Sequence, residues 1–216
     1  MKKRILFSLL LVVALVGLTA CGKKKEYKDI LDAKEAYMGD EAKEVFSKGL
    51  EGYTPLEVEP VALLAKQVVA GTNYMFLAKG HEKGVDTDTY KIIVIYKSLE
   101  DKYLVTSSKD LDYVKYTKEN KDYTDTEAVG AWEVVKSGDA AVLDKKIQTA
   151  FDKATSTLVG MSYTPIAALG QKGDDYAILC YATPTVPEAK TYVYLLVVNE
   201  DELVTTSYID LADYNQ

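Results

Sequence analysis

One stretch of this chain is written twice. FSKGLEGYTPLEVEPVALL, residues 46–64, aligns without a gap on FDKATSTLVGMSYTPIAAL, residues 151–169. Phe46 falls on Phe151, Lys48 on Lys153, Pro60 on Pro165, Ala62 on Ala167 and Leu64 on Leu169. Three residues then drop out of the second copy and the match resumes. GTNYMFLAKG faces GDDYAILCYA, TYKIIVIY faces TYVYLLVV, and YLVTSSKDLDY faces ELVTTSYIDLADY. This alignment sets Tyr74 on Tyr176, Thr89 on Thr191 and Tyr90 on Tyr192. The constant order of the matches identifies a duplicated unit, and two copies make a two-lobed protein rather than a solenoid. Whatever fold one half adopts, the other half has to adopt as well.

Each copy opens with a helical pattern. In DAAVLDKKIQTAFDKATSTL, residues 139–158, Leu143, Ile147, Ala150, Phe151, Ala154 and Leu158 form one apolar stripe, with Asp139 as the N-cap. Met38, Ala42, Val45 and Phe46 make the matching stripe in the first copy, where Gly39 and Gly49 weaken the helix if they lie inside it. Strand patterns rich in β-branched and aromatic residues follow each helix: PVALLAKQ, TNYMFLAKG, TYKIIVIYKS and KYLVTSS, then PIAALGQ, DDYAILCYA, TYVYLLVVN and ELVTTSYID. Short polar turns at LEDK and NEDE favour antiparallel neighbours.

The expected fold is therefore α+β, with two tandem lobes, each one helix packed on a four- to five-stranded antiparallel sheet. The lobes run over residues 34–116 and 131–216, with the charged, Thr-rich stretch 117–130 as linker. AWEVVKS, before the second helix, adds a strand anchored by Trp132, whereas the matching EYKDILD is more polar and reads as tether.

The N-terminus addresses the chain. Lys2, Lys3 and Arg4 precede an apolar run from Ile5 to Leu18, too short for an ordinary membrane-spanning helix and right for a signal peptide over residues 1–20. The run ends in LTAC, which resembles the lipobox of bacterial lipoproteins. The resemblance implies cleavage before Cys21, lipidation of its thiol, and a membrane tether over residues 21–33. Lys23, Lys24 and Lys25 would then sit at the headgroups, where cations are attracted to an anionic surface.

Charge and residue usage remove whole classes of function. The formal net charge is −7 before the three basic signal residues are lost, and Arg4 is the sole arginine. A nucleic-acid partner calls for a positive surface and arginine forks, so none is expected. With Cys21 taken by the anchor, Cys180 has no disulfide partner and reads as a small buried side chain in an apolar strand. His81, in KGHEKG, reads as a solvated loop residue, and one His with one Cys makes no metal site. Asp86, Asp88, Asp174, Asp175 and the NEDE run fall at turns. No catalytic constellation, phosphate loop or cofactor motif stands out, so the expectation is no enzyme, no cofactor and no metal.

One motif remains. Gln67, Val68, Val69, Ala70 and Gly71 read QVVAG between two strands, after a helix. This is an ordinary hairpin corner or a loop built to enter another protein. The motif in that slot resembles the first binding hairpin of the cystatins, inhibitors of papain-like cysteine proteases. The resemblance covers about residues 34 to 113 and extends by the repeat to the second copy. It implies a helix wrapped by an antiparallel sheet, and a wedge that blocks a protease cleft without catalysis.

The chain departs from that family's pattern in three places. No Gly-bearing N-terminal segment matches, the LEDKY turn lacks the Pro-Trp of the family's second hairpin, and the second copy shortens QVVAG to Gln171, Lys172 and Gly173. The same tandem architecture also resembles secreted β-lactamase inhibitory proteins and PepSY-type domains. Their likeness implies a cell-surface binding or structural lipoprotein with no protease target, its partners held on concave, tyrosine-bearing sheets. Tyr90, Tyr192 and Tyr194 stand at strand positions suited to that use.

Overall fold

The computed structural model describes residues 28–32, 38–118, 120–121, 133–134 and 141–215, with backbone alone at 28–32 and 133–134. Cys21, Trp132, Asp139 and most of the expected linker lie outside the described residues. In chain order the elements are β1 (Lys28–Asp32), α1 (Asp40–Leu50), β2 (Leu56–Val69), β3 (Gly71–Glu82), β4 (Thr89–Lys97) and β5 (Tyr103–Asp110). The one-turn α2 (Tyr113–Tyr116) and β6 (Glu133–Val134) follow. The second copy continues with α3 (Lys145–Ser156), β7 (Met161–Lys172), β8 (Asp175–Pro184), β9 (Tyr192–Val198), β10 (Leu203–Tyr208) and a 3-10 turn at Leu211–Tyr214. The fold is α+β, with two antiparallel sheets and few helices. The first sheet runs β5-β4-β3-β2-β6 and the second β1-β7-β8-β9-β10.

The duplication reaches into backbone detail. The β2–β3 ladder shifts register between Pro60 and Ala62 and again between Leu63 and Ala65. The β7–β8 ladder shifts between Pro165 and Ala167 and between Ala168 and Gly170, the equivalent positions. Proline has no N–H to give a ladder, which is why it sits at a bulge. One part of the sequence alignment is corrected by a residue. Leu77 pairs with Ile92, whereas its counterpart Leu179 pairs with Leu195, so Tyr90 corresponds to Val193 rather than to Tyr192. A one-residue slip in a strand reverses the face. Tyr90 accordingly lies in one apolar cluster and Tyr192 packs against another.

Helix boundaries also move. α3 starts at Lys145, and its N-cap is Asp144, whose carboxylate accepts from the Lys146 N–H at 2.9 Å. Ala141 and Leu143 are buried but precede the helix, because Asp144 already takes the extended backbone of a cap. In α1, Gly39 is the N-cap and weakens nothing. Gly49 is inside, where a Cβ would fall 2.6 Å from the Ile95 side chain, so glycine there lets helix and β4 approach.

Three apolar clusters explain the unbroken burial of the central strands. Ala42, Val45 and Phe46 of α1, with Met38 just before it, share one with Leu63, Tyr74, Phe76, Ile93 and Ile95. Ile147, Ala150, Phe151 and Ala154 of α3 share another with Tyr176, Ile178, Cys180, Tyr194 and Leu196. The third joins the opposite faces of both sheets, with Leu64, Met75, Leu77, Ile92 and Val94 meeting Ile166, Leu169, Leu179, Tyr181 and Leu195. The Tyr181 hydroxyl crosses this interface to donate to the Leu63 carbonyl at 2.7 Å. The sheets are thus packed face to face, and a strand buried on both faces reads as a continuous apolar run.

The copies also exchange their ends. β1 precedes α1 yet pairs with β7, and β6 precedes α3 yet pairs with β2. The stretch expected as tether therefore supplies a strand to the second sheet. Tyr113 of α2 fits over β7 where Gly170 lacks a side chain, its hydroxyl 2.1 Å from where a Cβ would stand. In return the 3-10 turn docks on the first sheet. There the Ser107 hydroxyl donates to the Tyr214 carbonyl at 2.8 Å and the Lys109 ammonium to the Asp213 carbonyl at 3.0 Å. Even the linker takes part, since Lys121 bridges in parallel to Ser207 of β10.

Such interlocking removes independent stability from either half. The chain from Gly22 onward should unfold in urea as one two-state transition, with near- and far-ultraviolet circular dichroism coincident. Residues 34–116 expressed alone should show no cooperative transition. Two separable transitions would contradict the shared core.

Candidate functional site

The QVVAG segment is the tip of the β2–β3 hairpin. Gln67 pairs with Asn73, Val68 with Thr72 and Val69 with Gly71, which leaves Ala70 at the apex. The Gln67 side-chain carbonyl accepts from Asn73 Nδ2 at 2.9 Å, tying the two strands just below the tip. Val68 is 79% exposed and Val69 47%, so neither side chain folds back onto its own sheet.

Gly71 is buried, and its φ of 126° suits glycine. A Cβ there would stand 2.5 Å from the Lys97 carbonyl and 2.8 Å from the Tyr96 hydroxyl. Its role is therefore internal, letting the hairpin lie against β4, where the Tyr96 hydroxyl donates to the Ala70 carbonyl. A second clamp holds the base. Glu41 of α1 accepts from Lys66 Nζ at 2.8 Å and from the Tyr74 hydroxyl at 2.7 Å, while that ammonium lies 4.9 Å from the Tyr74 ring centre. The Lys66 and Tyr74 hydrogen bonds hold the Glu41 carboxyl below its usual range. Burial first, and the Glu41 carboxylate second, push the Tyr74 hydroxyl up.

The β4–β5 turn stands beside this tip, because Thr72 pairs with Lys97 immediately before the turn begins. Ser98 organises the turn, its hydroxyl accepting from the N–H groups of Glu100 at 3.2 Å and Lys102 at 3.0 Å. Leu99 projects from it, 85% exposed. Val68, Val69 and Leu99 thus share one end of the first sheet on two braced turns. Sequence reasoning passed over Leu99 because LEDK reads as a polar turn. The available signal was a leucine followed by three charges, where burial has no claim on it.

The second copy shows what the same end looks like without the motif. β7 and β8 close through a two-residue turn at Gly173 and Asp174, with Lys172 paired to Asp175 and Gln171 Nε2 donating to the Gly173 carbonyl at 2.7 Å. Beside it, Asn199 accepts from the N–H groups of Asp201 and Glu202 at 2.9 and 2.8 Å and donates to Asp175 at 3.1 Å. Both turns are polar. The two sheet ends therefore differ in their turns, which carry the exposed Val68, Val69 and Leu99 in the first, whereas in the second the exposed Val204 lies in β10 beside its turn.

Other chemically capable side chains are committed elsewhere. Cys180 is fully buried with its thiol 3.5 Å from the Tyr194 carbonyl, and burial pushes that thiol up, away from the thiolate a nucleophile needs. His81 belongs to β3, not to a loop. Its Nδ1 is 2.7 Å from Asp88 and its Nε2 3.6 Å from Glu57, and the Asp88 bond raises its pKa. Among the described residues, no group of three or more His, Cys, Asp or Glu side chains is placed to hold a metal ion. No described helix is long and apolar enough to cross a membrane.

The division between braced base and free tip sets measurable expectations. Val68→Asp and Leu99→Asp should shift stability by no more than about 0.5 kcal/mol, whereas Gly71→Ala should cost about 2 kcal/mol or more in urea titrations. A Gly71→Ala chain as stable as the parent would contradict the fit against β4. Glu41 sets a pH dependence. Its folded pKa lies below the ordinary 4.5, so its contribution is present above pH 4.5 and lost as pH falls through the folded value. Glu41→Gln should therefore be destabilising at pH 7 and converge with the parent in acid.

Comparison with protein families, with curated proteins and with solved structures returns no match for this chain.

Proposed function

We propose that this chain is a lipid-anchored, extracytoplasmic protein-binding module with no catalytic role. It works by inserting the Gln67–Gly71 hairpin into an apolar cleft of a protein partner, as cystatins do with papain-type cysteine proteases. The observation that carries this reading is the exposure of Val68 and Val69 at the tip of a hairpin fixed at its base. Exposed apolar side chains on a rigid turn have no stabilising use of their own and are suited to burial against a partner. Leu99 supplies an apolar side chain where the cystatin pattern would have its second hairpin. A helix clustered with one face of each sheet is compatible with two cystatin-like lobes.

The alternative, a binding or structural lipoprotein like the β-lactamase inhibitory proteins or PepSY-type domains, draws less support. Its partners would dock on sheet faces, and here those faces are packed against one another. Anchoring follows from the lipobox resemblance at Cys21 and places the hairpin outside the cytoplasm.

The test is a titration of papain with the soluble chain from Gly22 onward. Inhibition with a constant at or below about 1 μM is expected, and Val68→Asp and Leu99→Asp should each weaken it about tenfold or more. Val186→Asp, at an exposed valine on the second sheet's β8–β9 loop, should leave it unchanged. Absence of inhibition at about 10 μM chain, or inhibition indifferent to Val68→Asp, would sink the protease reading.

A further inference from the structure

The two copies finish their outer strands differently. In the second sheet the edge of β10 is met by backbone of the linker at Lys121. The Lys121 N–H donates to the Thr206 carbonyl at 3.3 Å, and the Tyr208 N–H donates to the Lys121 carbonyl at 2.8 Å. The bridge is parallel, Lys121 to Ser207. The register identifies the same positions in the first sheet. Ile92 pairs with Lys109 as Leu195 pairs with Ser207, so Ser108 corresponds to Thr206 and Asp110 to Tyr208. One further bond agrees with this correspondence. The Leu111 N–H donates to the Tyr90 carbonyl at 2.8 Å as the Ile209 N–H donates to the Val193 carbonyl at 2.9 Å.

Residues on an antiparallel strand alternate between bonding inward and outward. Lys109 and Leu111 bond inward, so the Ser108 carbonyl and the Asp110 N–H face out from β5, the terminal strand of its sheet. Among the described residues no backbone group meets either one. An edge left with this spacing of acceptor and donor is a template for an added strand. Proteins usually blunt such edges, and the sister edge is indeed occupied.

We propose that the β5 edge at Ser108–Asp110 is a binding site for an extended segment of a partner protein, seated parallel to β5 as Asn120–Lys121 is seated beside β10. Recognition is through main-chain hydrogen bonds, so the site tolerates varied sequences. Leu104, 60% exposed on the same strand, favours an apolar side chain toward the segment's start. The site does not depend on the hairpin, and it stands whether or not a protease is the partner there.

Amide hydrogen exchange of the soluble chain is the first measurement. The Asp110 amide should exchange at least about tenfold faster than the Tyr208 amide, which Lys121 protects. The second uses as probe a capped hexapeptide TKENKD, the sequence of Thr117–Asp122 that supplies the covering residues on the sister edge. At about millimolar peptide the Asp110 amide should slow severalfold. Ser108→Pro keeps the inward ladder and the outward carbonyl but sets its ring where the backbone of the added segment would lie, and should abolish the slowing. Equal exchange at Asp110 and Tyr208 in the free chain, no slowing with peptide, or undiminished slowing in Ser108→Pro would each overturn the proposal. So would protection of Asp110 that rises with protein concentration alone, which assigns the edge to a second copy. If Ser108→Pro does not fold, the two measurements on the unaltered chain decide.

Discussion

The contact between the two sheets is what the rest of the structure depends on. Residues of one face of each sheet share an apolar cluster with a helix of the same copy, and the opposite faces share a third, so either sheet alone would leave an apolar slab in water. Fully burying a single leucine or isoleucine is worth about 1.5–3 kcal/mol, and the inter-sheet cluster holds many of them. No half-molecule can forgo that and stay folded, since net stabilities of domains are about 5–15 kcal/mol. The exchange of β1 and β6, and of the two C-terminal turns, follows the same logic. Each copy completes the sheet of the other, so the interface is held by backbone pairing and by side-chain contact together.

That arrangement explains where function is free to sit. The central strands are committed to apolar clusters on both faces. What remains are the sheet ends and edges. The first sheet's end is braced at its base, because the Glu41 clamp and the Gly71 fit against Tyr96 fix the direction of the tip. A tip so held loses little conformational entropy on association, which is the main benefit of preorganisation.

Much of this was legible in the residues. The repeat, the helical stripes and the eight central strands follow from periodicity and alignment. The face-to-face packing was also written there, in runs such as KIIVI and YLLVV, which never alternate. A strand with one wet face would show polar residues at every second position, and these do not. The exchange of ends was not legible, because EYKDILD and AWEVVKS are short edge segments whose pairing partner is decided by three-dimensional proximity. Nor was the one-residue slip at Tyr90, since TYKIIVIY and TYVYLLVV match better by residue type than by register. Leu99 stayed hidden for a related reason. A single leucine in a turn carries no period, and its exposure depends on what the neighbouring hairpin leaves uncovered.

The two tips differ where the frames agree. Both copies retain the bulges after Pro60 and Pro165, so selection or physics has preserved the frame in each. Beyond the frame the tips stand outside every apolar cluster, and changes there cost the core nothing. The second copy has taken the low-energy solution, a two-residue turn with glycine and aspartate and no apolar side chain. The first copy has two exposed valines at the tip, which improve neither stability nor solubility. A feature of that kind, set beside the simpler solution in the same molecule, is what the proposed contact with a partner would account for.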